Sequence, residues 1–356
     1  MSARDPRTLA LLAALLLPGP AAALGFAGLS GPAAGCAPVT APAALAFPRD
    51  HAPHPDFRIE WWYLTADLAG PDGAAYGVQW TLFRTAIAPG ADAPGWANGQ
   101  LWMAHAAATA AGLHRFAETF ARGGVGQAGV TLAPFRAWID GWSMTATGTG
   151  GDALADLHLT AAGDGFAYDL ALTADRPPLR HGAGGYSLKS PDGQASYYYS
   201  QPAYAVTGTL TLDGRAIAVT GQGWLDREWS SQPLGPDQPG WDWFALHLDD
   251  NAKLMVYRLR NRAGPPFLAG TFVAPDGTAT PLAADAIEVE PQATATVAGR
   301  TMPVAWRLAV PAFGVAVDIA ALNAQSWMGT TYPYWEGPVR VAGSHGGVGY
   351  LEMTGY

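Results

Sequence analysis

Apolar and polar residues alternate over short stretches along most of this chain, the period of a strand with one buried face. Residues 76–84, 153–160, 166–173, 205–212, 243–248 and 254–260 all read this way. Turn signals stand between such stretches: Pro71-Asp-Gly73, Gly163-Asp-Gly165, Pro191-Asp-Gly193, Asp213-Gly214 and Pro275-Asp-Gly277. No stripe of helical period runs beyond about ten residues, which argues against a doubly wound α/β fold. The pattern predicts an all-β chain from about residue 55, folded as two consecutive antiparallel barrels or sandwiches. Glycines and prolines cluster between 205 and 240, so the junction is expected there, with domains taken as 49–228 and 229–356.

The first residues follow another pattern. Arg4 and Arg7 precede an apolar run from Leu9 to Leu17, which Pro18, Gly19 and Pro20 end and Ala21-Ala22-Ala23 follow. This is the layout of a secretory signal, expected to be cleaved near Ala23, and the run is too short to span a bilayer. The expected product is exported, in a periplasm if the cell has one. Residues 24–48, rich in Ala, Pro and Gly, read as a flexible leader. Cys36 is the single cysteine, so an intrachain disulfide is excluded. It follows small residues, Ala33-Ala34-Gly35, and two readings stay open: a lipid-anchored lipoprotein cysteine or an unpaired thiol.

Composition narrows the chemistry. The chain of 356 residues is 49% hydrophobic and 14% charged, with 44 Gly and 29 Pro, a mix that excludes coiled coil and disorder. Net charge is −9 and no basic patch is visible, so nucleic acid is not an expected partner. The three glycines of Gly124-Val-Gly126-Gln-Ala-Gly129 lack the strand–helix setting of a dinucleotide site and read as a turn. There is no Gly-x-Ser-x-Gly elbow, and the lone cysteine lies in the leader. Eight scattered histidines show no metal-ligand spacing, so neither a metal nor a cofactor is expected.

Acids interleaved with aromatics stand out: Glu60-Trp61-Trp62-Tyr63, Trp224-Leu-Asp226-Arg227-Glu228-Trp229, Trp241-Asp242-Trp243 and Tyr332-Pro-Tyr334-Trp335-Glu336. In extended chain Glu60 and Trp62 share a face, as do Trp224, Asp226 and Glu228. A carboxyl in a poorly hydrated aromatic pocket is held neutral and suited to donate a proton, and tryptophan faces stabilise a carbocation. The competing reading is structural, with Arg227 pairing with Glu60, Asp226 or Glu228 at a barrel end.

Taken with Tyr76-Gly-x-Gln79, Phe83-Arg84, Ala104-His105-Ala106, His181-Gly182, Gly185-Tyr-Ser187, Tyr197-Tyr-Tyr-Ser200, Gly240-Trp-Asp-Trp-Phe244 and the closing Gly349-Tyr350 to Gly355-Tyr356, these motifs resemble the carotenoid 1,2-hydratase/AttH-type lipocalin-like family from about residue 55 to the end. The resemblance implies two lipocalin-like barrels enclosing an apolar cavity, and cofactor-free hydration of an isolated double bond. Leu225 and Arg227 stand where the carotenoid-hydratase branch carries histidines, which places the chain nearer the exported AttH-type branch. Asp226 and Glu228 are the candidate acids. Glu60 and Arg227 would hold the acid, and Trp62, His105, Tyr198, Trp229, Trp241, Trp243 and Trp335 would shape the ligand site. Two functions follow: a hydratase acting on an isoprenoid, polyene or other apolar molecule, or a carrier of such a molecule or lipid serving an export system. Acids facing the cavity would favour the enzyme, whereas acids confined to the inter-barrel seam and paired with arginine would favour the carrier.

Overall fold

The computed structural model describes residues 33–87, 93–148, 150–174 and 176–356. The expected signal segment, 1–23, lies outside them. Among the described residues the regular structure is β-strand with short 3-10 turns, as two lipocalin-like barrels.

The first sheet has 13 strands: β1 (Ile59–Ala69), β2 (Ala75–Ala86), β3 (Gln100–Ala110), β4 (Leu113–Arg122), β5 (Ala128–Leu132), β6 (Phe135–Ile139), β7 (Trp142–Ala146), β8 (Asp156–Gly163), β9 (Phe166–Ala174), β10 (Leu179–Arg180), β11 (Tyr186–Leu188), β12 (Ala195–Leu212) and β13 (Arg215–Ser230). Its order is β4-β3-β2-β1-β13-β12-β9-β8-β7-β6-β5, with β10 and β11 also on β12. The sheet curls until β4 lies against β6 and β8. The second sheet has 10 strands: β14 (Trp241–Leu248), β15 (Lys253–Leu259), β16 (Phe267–Val273), β17 (Ala279–Leu282), β18 (Glu288–Val297), β19 (Arg300–Val310), β20 (Val315–Ala321), β21 (Trp327–Met328), β22 (Tyr334–Gly343) and β23 (Gly347–Met353). Its order is β17-β16-β15-β14-β23-β22-β20-β19-β18, with β21 on β22. The strand carrying Asp226 runs on to Ser230, so Trp229 belongs to the first sheet.

Both barrels are filled. Trp62, Trp80, Trp102, Phe135 and Tyr168 meet inside the first, and Phe244, Trp306 and Trp335 inside the second. The described part of the leader is tied to the first sheet rather than free. Leu45 and Phe47 pack on its core, and the Ala37 carbonyl accepts a 2.6 Å hydrogen bond from Ser231 Oγ.

The barrels meet along a third core that includes Ile59, Tyr63, Tyr198, Trp224, Trp243, Ala245, Met255, Tyr257 and Tyr350. β1 is therefore buried on both faces, which explains why its sequence is almost continuously apolar. One face (Trp62, Leu64, Ala66, Leu68) fills the first barrel, and the other (Ile59, Trp61, Tyr63) meets the second. The contact is tight at Gly77, where a Cβ would lie 2.6 Å from Pro338 Cγ.

Candidate functional site

Strand register places the chemistry. Across six strands of the first sheet, Glu118, His105, Thr81, Tyr63, Asp226 and Ser200 are successive cross-strand partners and form one row. The next row is Phe120, Met103, Phe83, Trp61, Glu228 and Tyr198. Both rows face the second barrel, which answers with the row Glu336, Glu352, Trp243 and Tyr257. Between them lies a cavity of about 340 Å³ whose lining includes Trp61, Phe83, Met103, Trp241 and Trp243, with Asp226, Glu228 and Glu352 among its polar groups. The cavity is inside neither barrel; it is built from their outer faces.

Asp226 lies at its wall. Tyr198 Oη donates to its Oδ2, while Ser200 Oγ and Trp224 Nε1, the latter at 2.6 Å, donate to Oδ1. Burial outweighs these three donors and, with the neighbouring charge of Glu228, pushes its pKa up to about 7. Glu352, on the opposite wall, accepts a 2.5 Å hydrogen bond from Trp241 Nε1. Burial raises it to about 7 as well, helped by the charges of Asp226 and Glu228. Glu336 stands directly across from Glu352 on the neighbouring strand and receives the Tyr63 hydroxyl. Burial and the charge of Glu352 push it far above the carboxylate range. Glu228 is paired with Lys189 Nζ at 2.8 Å and bonded by Ser196 Oγ. Tyr198 also accepts from Trp243 Nε1 at 3.1 Å, so its hydroxyl couples Asp226 to a residue of the second barrel. His105 bridges Tyr334 Oη at 2.9 Å and Glu118 Oε1 at 3.0 Å, and burial lowers its pKa. Among the described residues no group of three or more His, Cys, Asp or Glu could hold a metal ion.

A model of the AttH-like family matches residues 38–356. The chain belongs to the AttH-like family. The crystal structure of an AttH protein from Nitrosomonas europaea is similar at a TM-score of 0.77 and 34% identity, covering 90% of this chain and 99% of that one. Kievitone hydratase from Nectria haematococca shares the fold at a TM-score of 0.65 and 15% identity, covering 90% of this chain and 96% of that one. No protein of curated function matches the sequence.

In this AttH-like chain, Asp226, Glu228, His105, Tyr198, Trp241 and Trp243 converge on the cavity. Glu60, Trp62, Arg227 and Trp229 do not, because they occupy the faces of β1 and β13 that point into the first barrel. There Glu60 is clamped by Arg227 Nη2 at 2.7 Å, Arg84 Nε at 3.0 Å and His54 Nδ1 at 2.7 Å. Burial opposes its ionisation, but the charges of His54, Arg227 and Arg84 prevail and hold it well below the usual carboxylate range. The Arg227 guanidinium lies 3.8 Å from the Trp62 ring centroid, and Trp229 stacks on His54 at 3.8 Å. Trp335 belongs to the core of the second barrel. Sequence reasoning did not single out Glu352, Glu336, Tyr63, Trp61 or Lys189 as site residues. A signal existed for Glu352, an isolated acid in the apolar stretch Tyr350-Leu-Glu352-Met353, and for Lys189, one of two lysines in the chain.

Proposed function

We propose that this protein is a cofactor-free hydratase that protonates a carbon–carbon double bond of an apolar, isoprenoid-like molecule held between the barrels. The observation that carries this reading is Asp226, a carboxyl at the wall of an aromatic cavity, poised near neutral pH and hydrogen-bonded to a phenol that also lines the cavity. With a proton on Oδ2, Asp226 donates to Tyr198 in place of accepting from it, and Tyr198 passes its own proton to the alkene carbon. A C–H bond forms and the positive charge falls on the neighbouring carbon. The rings of Trp61, Trp241 and Trp243 shelter that cation. A water forms the new C–O bond and loses its proton to ionised Glu352, so no net proton is consumed. Asp226 and Glu352 are both raised to about 7, so near neutral pH one can serve as acid while the other serves as base.

The acids that face the cavity lie in the seam between the barrels but are not paired with arginine; the buried arginine-clamped acids, Glu60 and Asp242, are elsewhere. A cavity of about 340 Å³ takes a small terpenoid or the end of a longer polyene. The test is mass spectrometry of organic extracts from a host making acyclic carotenoids, with the wild-type protein beside Asp226→Asn. A product heavier by one water that disappears with Asp226→Asn supports the hydratase. An unmodified apolar molecule bound equally by both proteins makes the chain a carrier.

A further inference from the structure

Asp226 has a second side. Its Oδ2 is reached from the ligand cavity through Tyr198, but Oδ1 faces away, toward Ser200 and a buried histidine. When Asp226 is ionised, Ser200 Oγ spends its single proton on it, so His181 Nε2, 2.6 Å away, is then the donor to Ser200. That fixes the tautomer: His181 Nδ1 is the acceptor and takes the hydroxyl proton of Thr271 at 2.8 Å. The three donors Thr271, His181 and Ser200 all point toward Asp226. Burial pushes the His181 pKa down to about 3, so the imidazole is neutral and can change tautomer without holding a charge. Thr271 and His181 both line a second cavity, of about 310 Å³, between the 181–188 turn and strands β15 to β17. Its rim residues Ala183, Leu188, Pro281, Ala283 and Ala284 are exposed, which opens it to solvent.

We propose that Asp226 is reloaded with protons from this second cavity, through Thr271, His181 and Ser200, while a ligand in the first cavity keeps bulk water from Tyr198. The proposal rests on the hydratase reading. Once Asp226 has given up its proton, Ser200 passes one to Oδ1, His181 passes one from Nε2 to Ser200, Thr271 passes one to His181 Nδ1, and a solvent water in the second cavity restores the Thr271 hydroxyl. A half-turn of the carboxyl carries the new proton to the Tyr198 side, and Glu352 returns to solvent, as the product leaves, the proton it took from the attacking water, so protons gained and lost are equal. The two hydroxyls end as they began, with their protons moved one place along, and the His181 ring, left with its proton on Nδ1, returns by tautomer exchange. An apolar ligand in the first cavity displaces water from Tyr198, which blocks the front route. The remaining donor to Asp226, the indole N–H of Trp224, cannot relay a proton.

Thr271→Val removes the outermost hydroxyl at nearly constant shape, far from the ligand. In the full chain it should leave the first turnover at the wild-type rate, because Asp226 starts loaded, and slow later turnovers at least tenfold with KM unchanged. Thr271→Ser should restore them. Equal slowing of first and later turnovers, or steady-state rates like wild type, overturns the relay. A second readout needs no substrate: the infrared carbonyl band of protonated Asp226, assigned by its loss in Asp226→Asn, should shift at least tenfold more slowly after mixing into D2O in Thr271→Val, with an apolar ligand bound. Equal exchange overturns the relay even if no hydration is found, whereas slow exchange without any hydrated product would instead overturn the hydratase reading.

Discussion

Asp226 and Glu60 are both buried carboxyls on neighbouring strands, yet their surroundings drive them in opposite directions. Around Glu60 there are two guanidiniums and an imidazole; around Asp226 there are hydroxyls, an indole and another acid. Replacing Asp226 by Asn should lower kcat by about 10²–10⁴-fold while ligand affinity, measured by fluorescence quenching, changes little. The rate should follow a bell centred near pH 7, falling on the acid side as Glu352 gains a proton and on the alkaline side as Asp226 loses one. Stability should also respond. Asp226 holds its proton in the folded state up to about 7, whereas an unfolded Asp releases it near 4. Its contribution is fully present below about pH 4 and is lost as pH rises to about 7. Urea midpoints for wild type should fall over that window relative to Asp226→Asn. Alternation along β13 was enough to place Trp224, Asp226 and Glu228 on one face. Glu352 escaped because its partners, Trp241, Trp243 and Glu336, come from other strands, and no local spacing joins them.

At the scale of the strand, alternation gives which residues travel together but not which side is the site. It put Glu60 with Trp62 and Trp61 with Tyr63, as the structure has them, yet β1 is apolar on both faces and either could have met a ligand. The face that meets the second barrel is decided by tertiary packing, which a single strand does not encode. The inward face of β1 then has a structural duty that can be measured. Glu60→Gln strands Arg84 and Arg227 in the first barrel without their counter-charge, and should cost about 3–5 kcal/mol in urea unfolding. The variant should still occupy the ligand cavity, because none of these three side chains lines it.

As a whole, the two barrels are joined by side chains that each need the other barrel. Tyr63 bonds Glu336, His105 bonds Tyr334 at 2.9 Å, Ser187 bonds Tyr257 at 3.0 Å and His181 bonds Thr271 at 2.8 Å. Denaturation followed by tryptophan fluorescence and by far-ultraviolet circular dichroism should therefore give one coincident transition; two separated transitions would mean that the barrels melt independently. The all-β class and the two-barrel plan were legible in turn spacing and family motifs, whereas the position of the cavity was not, since it arises only when two finished barrels touch. That origin has a consequence for how such a protein changes over time. Phe83, Met103, Trp241 and Trp243 decorate the outsides of bodies whose interiors are already complete, so exchanging them opens no hole in either barrel. A library randomised at these four positions should retain mostly folded members with altered ligand choice, which makes the seam an evolvable surface on an unchanged chassis.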